Sequence, residues 1–322
     1  MPALDDRTHT ASGAIRVLEV NGPLDLPRAV GACRVGGSDP SVRLLPEAAW
    51  RATRTPAGTA TLRLTQRRHG PLGSEVTVTA WGDGAAWALD HADELIGVHD
   101  QPVDFTPAPG LVRDLFRRHP GLRIGRCRAI VEVLVPTILE QKVTSVEAHR
   151  SYRALMRAHA EPAPGPAVPG GLWLRPDPAV LAQLGYADFH RFGIERRRAE
   201  TIRRVCARAE SIDRLALDWV DEPTAAARAA LESIPGIGPW SSAIVAQRAF
   251  GDPDAVIVGD YHLPNIVAFN LAGEPRATDE RMLELLEPYR GQRGRVVQLL
   301  GLGGRHAPRR GPGRRLRNIS RI

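Results

Sequence analysis

The run SIPGIGPWSSAIVAQRAFGDPDAVIVGDYHLP, residues 233 to 264, holds the residue types whose spacing can do chemistry. Pro235-Gly236-Ile237-Gly238 makes a tight turn between two helix-like runs, and Pro239 has the fixed φ suited to the first turn of the second. Glycines there let something bulky come close, while the following helix N-terminus offers unpaired N–H groups and a positive dipole end, which suits a phosphate. Asp260 falls 22 residues after Gly238, behind the apolar run AVIV. A desolvated carboxylate brought to such a turn can stabilise a developing positive charge. The plain alternatives are an αα-corner for the turn and a helix N-cap for Asp260, which precedes the helix-like YHLPN. Trp240, Tyr261 and His262 flank the two features, and each has a structural alternative as a packed or surface residue.

These residues need a scaffold, and the chain of 322 residues is long enough for two or three domains. IRVLEV, TATLRLTQ and EVTVTAW alternate with period two and are broken by Gly and Pro, which predicts antiparallel strands over residues 15 to 89. From Gly110 onward LVRDLFRRH, CRAIVEVLVPTILEQ, SVEAHRSYRALMRAHA and IERRRAETIRRVCARAE repeat at helical spacing. The fold class expected is therefore α+β: an N-terminal antiparallel β-rich domain, residues 1–105, then an all-α body, 106–305, and a basic C-terminal arm, 306–322. AEPAPGPAVPGG, residues 160 to 171, reads as a surface loop between helices.

Charge points to an anionic partner. The formal net charge is +7, and Lys142 is the single lysine among 43 basic residues. Three scattered cysteines, Cys33, Cys127 and Cys206, argue against a disulfide framework, a zinc site or an iron–sulfur cluster. No apolar run approaches a membrane span and the N-terminus has no leader-like core, so a cytoplasmic, nucleoid-associated protein without membrane partners is expected.

LESIPGIGPWSSAIVAQRAF with Asp260 resembles the hairpin and catalytic aspartate of the helix-hairpin-helix DNA glycosylase superfamily, and a β-rich domain in front is similar to the 3-methyladenine DNA glycosylase II branch. The all-α resemblance spans about residues 110 to 305. ILEQKVTSVEAHRSYRAL resembles the helix whose end enters the gap left by a flipped base, and YRGQRGRVVQLLGL the closing helix. The resemblance implies a monofunctional enzyme that extrudes alkylated purines from double-stranded DNA and hydrolyses the N-glycosidic bond in base excision repair, acting as a monomer. It assigns catalysis to Asp260, base contacts to Trp240, Tyr261, His262 and Gln141, and DNA contacts to Lys142, Pro235, Gly236, Ile237, Gly238 and Arg293. No cofactor is required, although the backbone carbonyls of Glu232, Ile234 and Ile237 map to a structural monovalent ion site. Trp240 stands where lyase members carry a Schiff-base lysine, and Gly301 where a pocket tryptophan is found, which leaves the lesion open. Two other readings remain: a glycosylase for another or bulkier lesion, and a silent binding module for damaged DNA.

Overall fold

The computed structural model describes residues 13–69, 73–100, 102–218 and 224–308; the arginine-rich end beyond lies outside these. Its architecture is α+β, with an N-terminal antiparallel sheet followed by a helical body.

Five strands, β1 (Ala14–Asn21), β2 (Val42–Leu44), β3 (Ala49–Thr55), β4 (Gly58–Arg68) and β5 (Gly73–Trp81), form the sheet in the order β1-β5-β4-β3-β2. Register follows the two-residue period. Leu62 pairs with Ala80 and Leu64 with Val78, so every apolar side chain of this set points to one face. Helices α1 (Leu26–Gly31), α2 (Ala85–Asp90) and α3 (Ala92–Leu95) cover that face and bury it with Val30, Leu89 and Ile96.

The body starts with α4 (Leu111–Arg118) and α5 (Ile130–Glu140). Nine of the eleven residues of α5 are buried, which makes it the axis of the body. Around it run α6 (Ser145–His159), α7 (Pro178–Gln183), α8 (Tyr186–Arg191), α9 (Arg196–Cys206), α10 (Ala209–Asp218), α11 (Thr224–Glu232) and α12 (Pro239–Ala249). They share one core through Leu134, Ile138, Leu155, Ile202, Leu231 and Val245. A second core joins α4 to α13 (Leu263–Ala272), α14 (Asp279–Leu286) and α15 (Arg293–Gly303) through Leu115, Val267, Met282 and Leu299.

One sequence expectation changes. The stretch from 160 to 171 is more than a connecting loop: it leads through β6 (Glu161–Pro162) into β7 (Trp173–Leu174). The ribbon packs Val168, Leu172 and Leu174 against Trp50 and Ala52 of β3, and the Trp173 N–H donates to the Pro40 carbonyl at 3.0 Å. The body thereby grips the second face of the sheet. In addition, β3 reads poorly as a strand because Arg51 and Thr53 occupy its inward positions, where Glu132 of α5 receives them.

Candidate active site

The hairpin between α11 and α12 is shaped from within. Ile234 and Ile237 are buried as its two apolar anchors, while Pro235 is exposed. Gly236 has φ +101°, and a Cβ there would fall against Thr201 Oγ1 of α9 and within 2.8 Å of its Cγ2, so the fold itself requires glycine. Gly238 differs: its φ of −128° suits any residue, and nothing lies within 4 Å of a Cβ placed on it. It is the N-cap of α12 and offers no side chain to the first-turn N–H groups.

Gln141, at the C-cap of α5, holds the turn. Its Nε2 donates to the Gly236 carbonyl and to Ser241 Oγ, both at 3.0 Å. Arg204 donates to the Pro235 carbonyl at 2.7 Å. The Ile234 carbonyl accepts the Ile237 N–H at 2.9 Å and keeps a second lone pair. Glu232, Ile234 and Ile237 thus fit an ion site only through backbone oxygens; among the described residues no three His, Cys, Asp or Glu side chains cluster as metal ligands. Beside Gln141, Lys142 is exposed with φ +56°, one of two described non-glycine residues in the left-handed region. A basic side chain is held at the tip of a strained turn.

Asp260 stands two residues ahead of His262, the N-cap of α13, so it is not the cap itself, yet its carboxylate closes the turn into that helix. Its Oδ1 accepts the N–H groups of His262 and Leu263 at 2.8 Å each, closing the start of α13. Its Oδ2 accepts the Trp240 indole N–H at 3.2 Å. Trp240 therefore turns its polar edge to the carboxylate while its ring packs on the core beneath α12, and the hairpin fixes the aspartate directly. Tyr261 is 79% exposed and stands edge-on to the exposed His262, with ring centroids 4.9 Å apart.

Arg293 is paired with Asp254. Its guanidinium is engaged by Asp254 through Nε at 2.9 Å and a second nitrogen at 2.5 Å, and its backbone N–H donates to the same carboxylate. It ties the start of α15 to the loop after α12, so a phosphate would have to displace an intramolecular ion pair. Gly301 lines a cleft of about 590 Å³, with open space around its Cα. Arg28 and Arg34 of the N-terminal region, Arg123, and Gln247 and Arg248 of α12 form other parts of the wall.

Sequence reading missed Glu140. It ends α5, sits 4.0 Å from His149 Nε2, and its carboxyl titrates above the ordinary range. Burial is the main cause and the negative charge of Asp260 adds to it, against the pull of Arg248 and His149. Its signal in the sequence was adjacency to Gln141 alone.

Comparison with known proteins bears on the fold. No family model matches the chain. It is 28% identical over 155 residues to "Probable bifunctional transcriptional activator/DNA repair enzyme AlkA" of Mycobacterium tuberculosis, a match covering 47% of this chain and 29% of that protein. The chain thus spans less than a third of the length of the curated relative. Among solved structures, the 3-methyladenine DNA glycosylase from Archaeoglobus fulgidus superposes with a TM-score of 0.69 at 15% identity, covering 88% of this chain and 96% of that one. The 8-oxoguanine glycosylase/lyase of Clostridium acetobutylicum gives 0.61 at 12% identity over 90% and 98%. The resemblance read from the hairpin holds at the level of the whole fold.

Proposed function

We propose that this chain, whose fold is that of the helix-hairpin-helix DNA glycosylases, is a DNA repair glycosylase that releases damaged purines of the 3-methyladenine type by water and leaves an intact abasic strand. One observation carries the reading: the Asp260 carboxylate is held on one oxygen by two backbone N–H groups and on the other by the indole of Trp240, just ahead of α13.

Breaking an N-glycosidic bond builds positive charge on the sugar, and a carboxylate that cannot rotate away meets that charge without reorganising. The hairpin supports the work from the side. Gly238 and the uncapped start of α12 suit a phosphate of the distorted strand, Lys142 suits the gap left by the extruded nucleotide, and Tyr261 and His262 suit the base or its neighbours. A monovalent ion on the carbonyls of Glu232, Ile234 and Ile237 would bridge the turn to a phosphate and do no chemistry. Water rather than an amine is the nucleophile, because Trp240 occupies the hairpin position from which an amine would act and Lys142 is the single lysine.

The test uses duplexes that each carry one defined lesion, followed by heat or alkali to reveal abasic sites. Release of 3-methyladenine with no strand nick before alkali, and no adduct under borohydride, is expected. An efficient borohydride adduct lost in Lys142→Ala would make the enzyme a lyase; absence of release from every lesion would leave a binding module.

A further inference from the structure

We propose that Cys33 and Cys127 form a dithiol oxidation site, which a peroxide converts into a disulfide joining the N-terminal domain to the helical body. The site goes beyond the glycosylase reading and does not depend on it.

Two of the three cysteines meet although they stand far apart in the chain. Cys33 lies in the turn after α1, and Cys127 lies just ahead of α5. Cys127 packs against the core around α5, to which Cys33 belongs, and against the core under the sheet, so the pair sits at the seam between the two units. The thiols face each other: the Cys33 sulfur takes a hydrogen bond from the Cys127 S–H. Both backbones are pinned. Arg175 Nη2 donates to the Cys33 carbonyl at 2.6 Å, and the Cys127 N–H donates to the Arg248 carbonyl at 3.0 Å. Cys33 is 4% exposed and Cys127 half-buried, so the pair is entered from the Cys127 side and admits a small oxidant.

The surroundings favour a thiolate. Arg51 of β3 is buried and bonds Glu132 through Nη2 at 3.3 Å, while its Nη1 is buried with no hydrogen-bond partner. A buried guanidinium left partly unpaired calls for negative charge nearby, and Cys33 supplies it. The bond from Cys127, then the charges of Arg51, Arg248 and Arg175, hold Cys33 below the ordinary thiol range against the effect of burial, and Cys127 is held above it. One sulfur is a nucleophile and its neighbour a resolving thiol. In the proposed step the Cys33 thiolate attacks one peroxide oxygen, the O–O bond breaks, and hydroxide leaves and takes a proton from solvent. The Cys127 sulfur then displaces the oxygen from the Cys33 sulfenic acid; the S–S bond forms, and that oxygen departs as water with the Cys127 proton. Two electrons pass from the sulfurs to the peroxide, and a dithiol reductant returns them. Gly31, Ala32 and Arg34 beside Cys33, and Gly125 and Arg248 on the Cys127 side, line the cleft, so the new bond ties two of its walls together.

Cys206 is the internal control: it is buried at the end of α9, and burial with the charges of Asp177 and Asp213 pushes its thiol up to about 12. In the experiment the reduced full chain is treated with equimolar hydrogen peroxide, quenched with N-ethylmaleimide in denaturant, and digested for mass spectrometry. A Cys33–Cys127 peptide pair lighter by two hydrogens is expected, formed at least about tenfold faster than any oxidation of Cys206 and reversed by dithiothreitol. Cys127→Ser keeps a hydroxyl donor beside the thiolate but cannot resolve it, so Cys33 should stop at a sulfenic acid that dimedone captures. A cooperative melting transition in the reduced state shows that each protein is folded. The proposal is overturned if folded wild type gives no Cys33–Cys127 pair, if the pair forms only in urea, or if Cys206 oxidises as fast. Dimedone capture that misses Cys33 in Cys127→Ser would overturn the assignment of the attacking sulfur. None of these outcomes touches the glycosylase reading.

Discussion

Asp260 carries a structural duty and, on the proposed reading, a chemical one, and the two are separable by substitution. Asparagine keeps an oxygen for the His262 and Leu263 N–H groups but brings no charge, so Asp260→Asn should fold normally, bind abasic-analogue DNA, and lose base release by about a hundredfold or more. Asp260→Ala removes both of these bonds as well and should cost about 1 kcal/mol in a urea titration. Wild-type release by the Asn variant would take the reaction away from this residue. Trp240→Phe keeps most of the packing and deletes only the indole donor to Oδ2. It should slow release by roughly tenfold, the rate equivalent of a hydrogen bond to a charged group worth about 1.5 kcal/mol, with little change in melting temperature. A phenylalanine variant as fast as wild type would show that the carboxylate is positioned without its indole partner.

At the scale of elements, the hairpin's two glycines separate into a folding requirement and a binding one. Gly236 sits in the left-handed region against Thr201, so Gly236→Ala should destabilise the protein by about 1–3 kcal/mol whether or not DNA is present. Gly238 has an ordinary backbone and open space, so Gly238→Val should cost only the poorer N-cap, about 1 kcal/mol, yet bind any duplex more weakly. Unchanged affinity for Gly238→Val at moderate salt would rule out close backbone approach there. Gln141 couples α5 to the same turn: the helix that presents Lys142 also fixes the hairpin, so a phosphate and an extruded nucleotide would be gripped by one rigid unit.

Across the whole molecule, sheet and body are locked by a buried polar seam. Glu132 of α5 accepts from Thr53 Oγ1 and the Arg54 N–H of β3, Arg175 bonds Asp39 at 3.0 Å, and Tyr152 reaches the same carboxylate at 3.1 Å. Arg128, in left-handed backbone, pairs with Glu94 and donates to the Ala216 carbonyl. This docking lets α1 and Arg34 wall the cleft on the side opposite α12 and α15. The seam carries a pH signature. Burial alone would raise Asp39, but Arg175 and the N–H groups of Ser41 and Val35 hold it below the usual carboxylate range, so its contribution is present above about pH 4 and lost in acid. Asp213 behaves oppositely. Burial pushes it up to about 7, even though its carboxylate accepts the Val131 N–H at the start of α5. A folded value above the unfolded one means full contribution below about pH 4, lost as pH rises to about 7. Urea midpoints for wild type relative to Asp213→Asn should therefore decline over that interval; a constant difference would place the ionised carboxylate in the fold.

What the sequence determined by itself lies in local patterns. Period-two alternation marked β1, β4 and β5, helical spacing marked the body, and Pro235 to Pro239 with Asp260 marked a turn and a carboxylate, because each pattern is written within a few turns of chain. What only the tertiary structure decided is pairing across long separations. Nothing local told that the Trp240 indole would meet Asp260, that Gln141 would be bound to a turn about a hundred residues away, or that Arg293 would be taken by Asp254. Strand β3 and the ribbon of β6 and β7 were hidden for the same reason: Arg51 and Thr53 are buried only because Glu132 awaits them, and Leu172 and Leu174 only because Trp50 lies opposite. Glu140 is the strongest case. A glutamate at a helix end reads as solvated surface, and its raised affinity for a proton arises from the burial and the neighbouring charge that the folded chain assembles around it.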